Sequence, residues 1–322
     1  MTAYCLFYQN DGYQTALIEQ AFCAPIINPD TNVPIPRNDS IETYSGIIDC
    51  MVRRKGQLFV CDHKSVSKLS DDYWHELKTN PQLTHYMLGL RHIGLPVDGF
   101  LWDVILKPTI SPKDLSKKAI VEIESDGTYC GQPLREPYNG EERETPSLFG
   151  LRLLVEYTER PEKYFIRRTY TRDDSQLYEY ATELAADVIE IRTIESDKQL
   201  CRRNLTGCKA FNSLCTFHQI CSGSTDESTY IDKPERPNDH PHVRSGSFSP
   251  SRLAVMKLCK RKFHYEYYQK IAKPVREYND ALEFGSLLHA GLEIYLRGKM
   301  CPSDEQVDLR ALSERVLNEF SG

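Results

Sequence analysis

Tyr44-Ser-Gly-Ile-Ile-Asp49-Cys-Met-Val-Arg-Arg-Lys55-Gly56-Gln-Leu-Phe-Val-Cys-Asp62-His-Lys64 is the stretch on which the fold turns. Two apolar runs flank Lys55-Gly56, and a two-residue loop with Gly in second place suits a tight hairpin. Closing the hairpin there pairs Arg54 with Gln57, and the same register sets Asp49 opposite Asp62. Cross-strand partners share a face, with Cβ atoms about 4.5–5.5 Å apart. Lys64, two residues on, faces the same way. The stretch predicts two carboxylates and an ammonium together on one face of an apolar hairpin. Like charges that close raise each other's pKa unless a cation sits between them. Burying them is costly unless they are paired or bind metal. A hard divalent cation such as Mg²⁺ or Mn²⁺ takes carboxylate oxygens and keeps several waters. Such an ion makes a water nucleophilic and neutralises charge building on a phosphate. Lys64 would orient that water or stabilise the transition state. A surface hairpin with a Lys–Asp ion pair is the plain alternative.

Downstream, Asn80-Pro81 offers an N-cap and a proline at the first helical position. In the helix that follows, Gln82 and Tyr86 lie four apart and so share a face. Leu83, Met87 and Leu90 form the neighbouring apolar stripe. In this order, Gly46-Ile-Ile-Asp49, Asp62-His63-Lys64 and Gln82-Leu-Thr-His-Tyr86 resemble the motifs of the PD-(D/E)XK nucleases. The Gln-x-x-x-Tyr element is similar to that of the RecB-like branch, which includes AddB-type, CRISPR-adaptation and phage exonucleases. The resemblance implies an α/β, restriction-endonuclease-like fold with a mixed central sheet flanked by helices. It also implies metal-dependent hydrolysis of DNA, exonuclease-like, in recombination, repair or phage or CRISPR DNA processing. Asp49, Asp62, Lys64, Gln82 and Tyr86 would be its catalytic set. A helicase, recombinase or annealing protein would be its partner in such pathways.

The chain has 322 residues, 40% hydrophobic and 27% charged, as expected for a globular protein with room for a sizeable core. Its net charge of −6 excludes a uniformly basic nucleic-acid binder, so any DNA surface must be a local patch. The N-terminus lacks the basic and apolar regions of a signal peptide, and no apolar run approaches a membrane span. Eleven cysteines without a secretory signal favour a reducing cytoplasm.

Residues 3–16 read as the end of a helix, Ala16 to Ile26 as a strand, and 25–39 as loop. Asp71 to Lys78 reads as a short helix and Val97 to Lys107 as a buried strand. Residues 108–148 read as polar and turn-rich. Tyr164 to Arg172 alternates basic residues along a strand, which suits either a phosphate-binding groove or an exposed edge. From Ser175 to Glu195, Leu177, Tyr180, Leu184, Val188 and Ile191 recur at helical spacing, a core stripe.

Cys201, Cys208, Cys215 and Cys221 then fall within one short polar and aromatic stretch. Such clusters bind zinc or iron–sulfur. Residues 222–246 lack apolar periodicity and read as a flexible linker. Beyond it, Ser249 to Tyr268 reads as one helix in which Lys260, Arg261 and Lys262 alternate with Phe263, Tyr265 and Tyr267. That pattern suits phosphate contact plus base stacking. Lys260, Arg261, Lys262 and Tyr265 are therefore candidate DNA-binding residues. Ala281 to Leu296 reads as a second helix carrying His289 and Glu293. A lone His on an apolar helix is ordinarily a core residue.

The resemblance reassigns this last segment. RecB-like nucleases open with a Ser-x-x-Arg-Leu-type helix, a Cys with basic and aromatic residues, and a Gly-x-x-x-His helix, here Gly285 to His289. That histidine, with Asp49, Asp62 and the main-chain carbonyl of His63, would hold the catalytic metal. Those pieces precede the hairpin in the family but follow it here. The expectation is a circularly permuted single domain: nuclease core 1–221, linker 222–246, and a completing helical segment 247–322. It predicts that His289 approaches Asp49 and Asp62 and that Gly322 lies near Met1. In iron–sulfur members, one Cys from the opening helices joins three that follow the core. Cys259, Cys208, Cys215 and Cys221 fit those places for a 4Fe–4S cluster, although six residues separate Cys208 and Cys215 where two are usual. Zn²⁺ is the alternative, since four thiolates suit either. Two rival functions remain: a nucleic-acid-binding module that does not cut, and a structural Cys₄ metal protein with a fortuitous carboxylate hairpin.

Overall fold

The computed structural model describes residues 1–197, 200–210, 213–233, 246–274 and 280–320. Five strands form one mixed sheet, in chain order across it: β1 Gln14–Pro25, β2 Thr43–Arg54, β3 Gln57–Val66, β4 Gly99–Leu106 and β5 Phe165–Tyr170. Neighbours run antiparallel except β3 and β4, which are parallel. That one parallel step needs a crossover connection. Helices α2 (Asp71–Glu76) and α3 (Pro81–His92) supply it.

The β2–β3 turn closes on Lys55 and Gly56 at φ of 50° and 80°, both left-handed, as a two-residue hairpin requires. Its ladder pairs Arg54 with Gln57 and runs up to Cys50 with Cys61. The expected next pair, Asp49 with Asp62, does not form. The β1–β2 pairing skips Glu19 and Asp49, and Glu19 has a φ of 41°. Ile48 packs into one core and Cys50, two residues on, into another, so β2 changes face at Asp49. Irregularities of this kind re-aim side chains next to functional sites.

One sheet face is covered by α3, by α6 (Asp174–Ser196) and by α7 (Pro250–Leu258), with Leu83, Leu90, Leu184, Val188 and Met256 buried against Phe22, Val60, Phe100 and Val104. The other face is covered by α1 (Thr2–Tyr8) and α8 (Asp280–Arg297), through Tyr4, Tyr8, Leu288 and Leu292 on Ile105 and Phe165. Residues 108–148 are more ordered than their polarity predicts. They contain α4 (Lys117–Asp126), whose Ile123 packs with Tyr129 and with Leu148 and Leu151 of α5 (Pro146–Glu159). The signal was hidden because the apolar residues of this small core are few and lie far apart in sequence.

The C-terminal segment lies on the sheet. Thr15 N–H donates to Lys299 O (2.8 Å), Cys301 N–H to Thr15 O (2.8 Å) and Val307 N–H to Ala16 O (2.9 Å). These bonds cover the outer edge of β1. Helix α9 (Leu309–Glu319) then packs along that strand, with Leu309 and Leu317 buried. On the other side of β2, Ser45 N–H donates to Phe248 O (2.9 Å) and Phe248 N–H to Thr43 O (3.0 Å), occupying the edge that β3 leaves beyond Asp49.

The region read as a linker is structured in part, since Ile231 and Asp232 pair with Ile271 and Ala272. Residues 234–245 and Gly322 lie outside the described residues, and with Gly322 the expected approach of the chain ends. The single helix expected from Ser249 breaks at Cys259, which is extended (φ −161°, ψ 112°). Among the described residues, no helix is long and apolar enough to cross a membrane.

Candidate active site

Asp62 is 2% exposed on β3, where the sheet meets α3. Gln82 Nε2 donates to Asp62 Oδ1 (3.2 Å) and also lies within hydrogen-bond distance of the Tyr86 hydroxyl (3.2 Å). The helix is anchored for this task by Asn80, whose side chain accepts from the N–H groups of Gln82 and Leu83. Lys64 Nζ stands 2.6 Å from Asp62 Oδ2. That oxygen nevertheless has no well-aligned hydrogen bond and is buried. The contact is a charge-assisted ion pair that a rotation of the ammonium aligns. A buried carboxylate that also faces the Asp49 carboxylate fits a cation ligand.

Asp49 joins the site by a different route from the one its spacing implied. Its Oδ2 accepts from the main-chain N–H of His63 (3.3 Å) and lies 3.8 Å from His289 Nδ1 on α8. His289 is half-buried. Two helices from opposite faces thus reach the β2–β3 divergence, α3 with Gln82 and Tyr86 and α8 with His289. Glu293, one turn past His289, is paired instead with Arg297.

The electrostatics follow from burial. Desolvation raises the pKa of Asp62; the Lys64 ammonium works against that and the Asp49 carboxylate adds to it. Desolvation opposes the charge on Lys64, but the Asp62 and then the Asp49 carboxylates outweigh it and hold its pKa above the usual lysine value. Burial pushes the Tyr86 phenol up, so it stays protonated. His85, between Gln82 and Tyr86 in sequence, turns away. Burial lowers its pKa to about 4, and the neutral ring bonds Ser45 O and the Tyr180 hydroxyl. It is a core residue.

Two neighbours had no role in the sequence reading. The Lys64 ammonium lies 5.4 Å from the Trp102 ring centroid, and Trp102 Nε1 donates to the Tyr73 hydroxyl (2.8 Å). Alternation along β4 carries the only sequence signal for Trp102, since it puts Phe100, Trp102 and Val104 on one face, and nothing comparable marks Tyr73 on α2.

The opposite face of the same strands carries a separate network. The Arg167 guanidinium bonds Asp103 (2.8 Å), Asp11 (2.5 Å) and the Tyr4 hydroxyl (2.9 Å), and Tyr4 also donates to Asp103. Cys50, Cys61 and His63, all buried, bring their ligand atoms within 4.8 Å of one another here. The Cys50 thiol beside it, then burial, raise the pKa of Cys61 well above its usual value, so the sulfur stays a thiol. His63 Nε2 already faces Asp103 at 3.5 Å. The side chain of His63 therefore points away from Asp62, and only its main chain borders the carboxylates.

The predicted DNA-binding group is mostly consumed by the fold. Lys260 pairs with Glu190, Arg261 Nε donates to Cys201 O (2.7 Å), and buried Tyr265 packs on Phe217. Lys262 alone of the four is left with no such tie among the described residues. Clustering in sequence did not reveal which face α6 and the Cys-rich stretch would cover.

That stretch converges with α7. Lys209–Ala210 and Ser213–Leu214 form a two-rung hairpin, and Cys215 N–H donates to Cys208 O (2.8 Å) at its base. The long Cys208–Cys215 spacing is absorbed by this hairpin, which returns the two residues to neighbouring positions. Cys221 follows on the short helix His218–Ser222. Leu258 O, next to Cys259, accepts from Asn204 Nδ2 (2.7 Å). All four cysteines are half-buried and free.

No curated protein and no solved structure matches the chain. A family model, described as the PD-(D/E)XK nuclease superfamily, matches residues 14–222 and 247–321. Those segments contain the whole sheet, the Asp62 environment and the C-terminal helices that close over it, and a match of that extent makes the chain a member of the PD-(D/E)XK nuclease superfamily.

Proposed function

We propose that the protein is a Mg²⁺- or Mn²⁺-dependent deoxyribonuclease of the RecB-like branch, cutting phosphodiester bonds in an exonuclease-like manner. The observation that carries this reading is the buried Asp62 carboxylate, with one oxygen held by Gln82 and the other paired with Lys64, beside Asp49 and the His289 that approaches it. Asp49, Asp62, His289 and the His63 carbonyl would hold the metal. Bound there, the ion would supply an activated water and neutralise charge on the phosphate. Lys64, kept protonated by the two carboxylates, acts as a cation and hydrogen-bond donor rather than as the base. It would orient the water and stabilise the anionic transition state. Gln82 fixes the Asp62 carboxylate, and the Tyr86 phenol backs Gln82.

The test is Mg²⁺-dependent degradation of end-labelled DNA by the wild type, Asp62→Ala and Lys64→Ala. Each substitution should lower the rate by at least about 100-fold, the usual scale for removing one such group. Undiminished cutting by both variants overturns the assignment.

The match of Cys208, Cys215, Cys221 and Cys259 to the iron–sulfur members is what supports a bound 4Fe–4S cluster, with zinc as the alternative; Cys208 and Cys215 are main-chain neighbours, but no three of the four bring their sulfurs within 4.8 Å of one another. Iron and acid-labile sulfide in anaerobically purified protein decide between them, and neither metal in stoichiometric amount removes both. The order of the segments supports a circularly permuted domain, in which 247–322 completes the core formed by 1–221 and the stretch between them is a connector.

A further inference from the structure

Asp62 pairs in register with Trp102 on β4, and Trp102 pairs with Arg168 on β5. Partners at one level of a sheet share a face, so Arg168 stands on the same face as Asp62, at the sheet's far edge. Two strand spacings separate them, about 10 Å. The row one residue over, His63–Asp103–Arg167, is the buried network of the opposite face. The two adjacent arginines therefore have opposite fates. Arg167 is spent on Asp103 and Asp11, whereas Arg168 is exposed and, among the described residues, has no ion pair.

Arg168 is not a loose surface charge. Its guanidinium lies 4.1 Å from the Trp74 ring centroid. Stacking on an indole pre-orients the fork of donors and lowers the entropy lost on binding an anion. Trp74 meets Tyr73 edge-on (5.2 Å), and Tyr73 is bonded to Trp102 beside Lys64. An aromatic track thus joins Lys64 to Arg168. It ends in an open groove of about 350 Å³ between α2 and β5, lined by Trp74, His75, Lys78, Arg168 and Tyr170, with Asp71 the one acid.

We propose that this groove binds the sugar–phosphate backbone of the substrate strand to one side of the bond that is cut. Arg168 and Lys78 would contact a phosphate about two nucleotides from the one at Asp62, given the strand spacing above. The proposal rests on the nuclease reading and gives the direction in which the strand leaves the site. It also places the basic patch, required by a net charge of −6, at the edge of β5 rather than on the Lys260–Lys262 helix.

Full-length protein is titrated into fluorescein-labelled single-stranded oligodeoxynucleotide by anisotropy at several KCl concentrations, with Ca²⁺ replacing Mg²⁺. Arg168→Ala should weaken binding by at least about 10-fold, as for a charge-assisted contact. It should also flatten the slope of log Kd against log salt by about 0.7, the single-strand value for one phosphate. Arg168→Lys should restore the slope but only part of the affinity, and Lys118→Ala on exposed α4 should change neither. A structural role for Arg168 would move the melting temperature and not the salt slope. Wild-type affinity and slope in Arg168→Ala and in Arg168→Ala/Lys78→Ala overturn the proposal while leaving the nuclease reading intact. A wild type that neither binds nor cuts DNA removes both, and that result is visible without any groove variant.

Discussion

At the scale of single residues, burial and the proposed metal-binding role of Asp62 pull its charge in opposite directions. Desolvation raises its pKa above the usual 3.8, and Lys64 offsets only part of that. The folded metal-free protein therefore holds the Asp62 proton more tightly than the unfolded chain does. Lowering the pH through the folded-state pKa relieves a cost of folding rather than creating one. Protonation has the reverse effect on metal binding, because a neutral carboxyl is a poor ligand for a hard cation. Mn²⁺ should raise the melting temperature at pH 7 by mass action, and that rise should shrink on acidification at a pH above the range of an exposed aspartate. Calorimetric titrations of Mn²⁺ between pH 7 and 4 measure it, and an affinity flat down to pH 4 contradicts the assignment. The proximity of Asp62, Lys64, Gln82 and Tyr86 was legible because each pair lies on one strand or one helix turn. The opposite environments of Arg167 and Arg168 were not legible. They depend on Asp103 and Asp11, brought in from two other elements.

At the scale of elements, the site depends on how closely α3 lies on the sheet. A Cβ on Gly89 would stand 2.1 Å from Phe22 Cε2, and one on Gly46 would stand 2.5 Å from Tyr86 Cε1. Glycine inside a helix costs about 1 kcal/mol relative to alanine, so Gly89 is retained for close approach. Gly89→Ala gains that propensity but must push α3 away from Phe22, and overpacking typically costs about 1–3 kcal/mol. The variant should melt below the wild type. It should also lose nuclease activity beyond its loss of folded protein, because the same shift carries Gln82 away from Asp62. A melting temperature at or above the wild type's would show that α3 has slack. The hairpin turn and the α3 cap could be read from local chemistry, in Lys55-Gly56 and Asn80-Pro81, whereas the Asp173–Gln176 capping box that starts α6 was not read. The ending of the ladder before Asp49 could not, because it coincides with a gap in the β1–β2 pairing at Glu19 and Asp49, and Glu19 takes a left-handed φ of 41° that local sequence does not announce.

At the scale of the whole molecule, the C-terminal segment belongs to the sheet as much as any strand does. Its backbone satisfies the outer edge of β1 at Thr15 and Ala16 and the vacated edge of β2 at Thr43 and Ser45. Leu309 N–H donates to Gln20 Oε1 (2.9 Å), and Cys23 N–H to the Ser313 hydroxyl (3.0 Å), fixing α9 along β1. Residues 1–233 made alone would expose those backbone groups together with the apolar surface under α7 and α9. Such an unpaired edge invites aggregation, and the fragment should be insoluble or molten. A re-cut chain, 247–322 joined to 1–233 through a flexible Gly/Ser linker long enough to span from Phe320 to Met1, retains both segments that make these contacts and moves the break. Loop closure changes slowly with length, so the new connection should cost little. If the present order is a permutation of one domain, the re-cut protein should fold to a similar melting temperature and cut DNA at a similar rate. If instead the connection through 234–245 is itself required, the re-cut protein will fail while the original folds. Circular dichroism melts and the DNA degradation assay on the two chains together distinguish those outcomes.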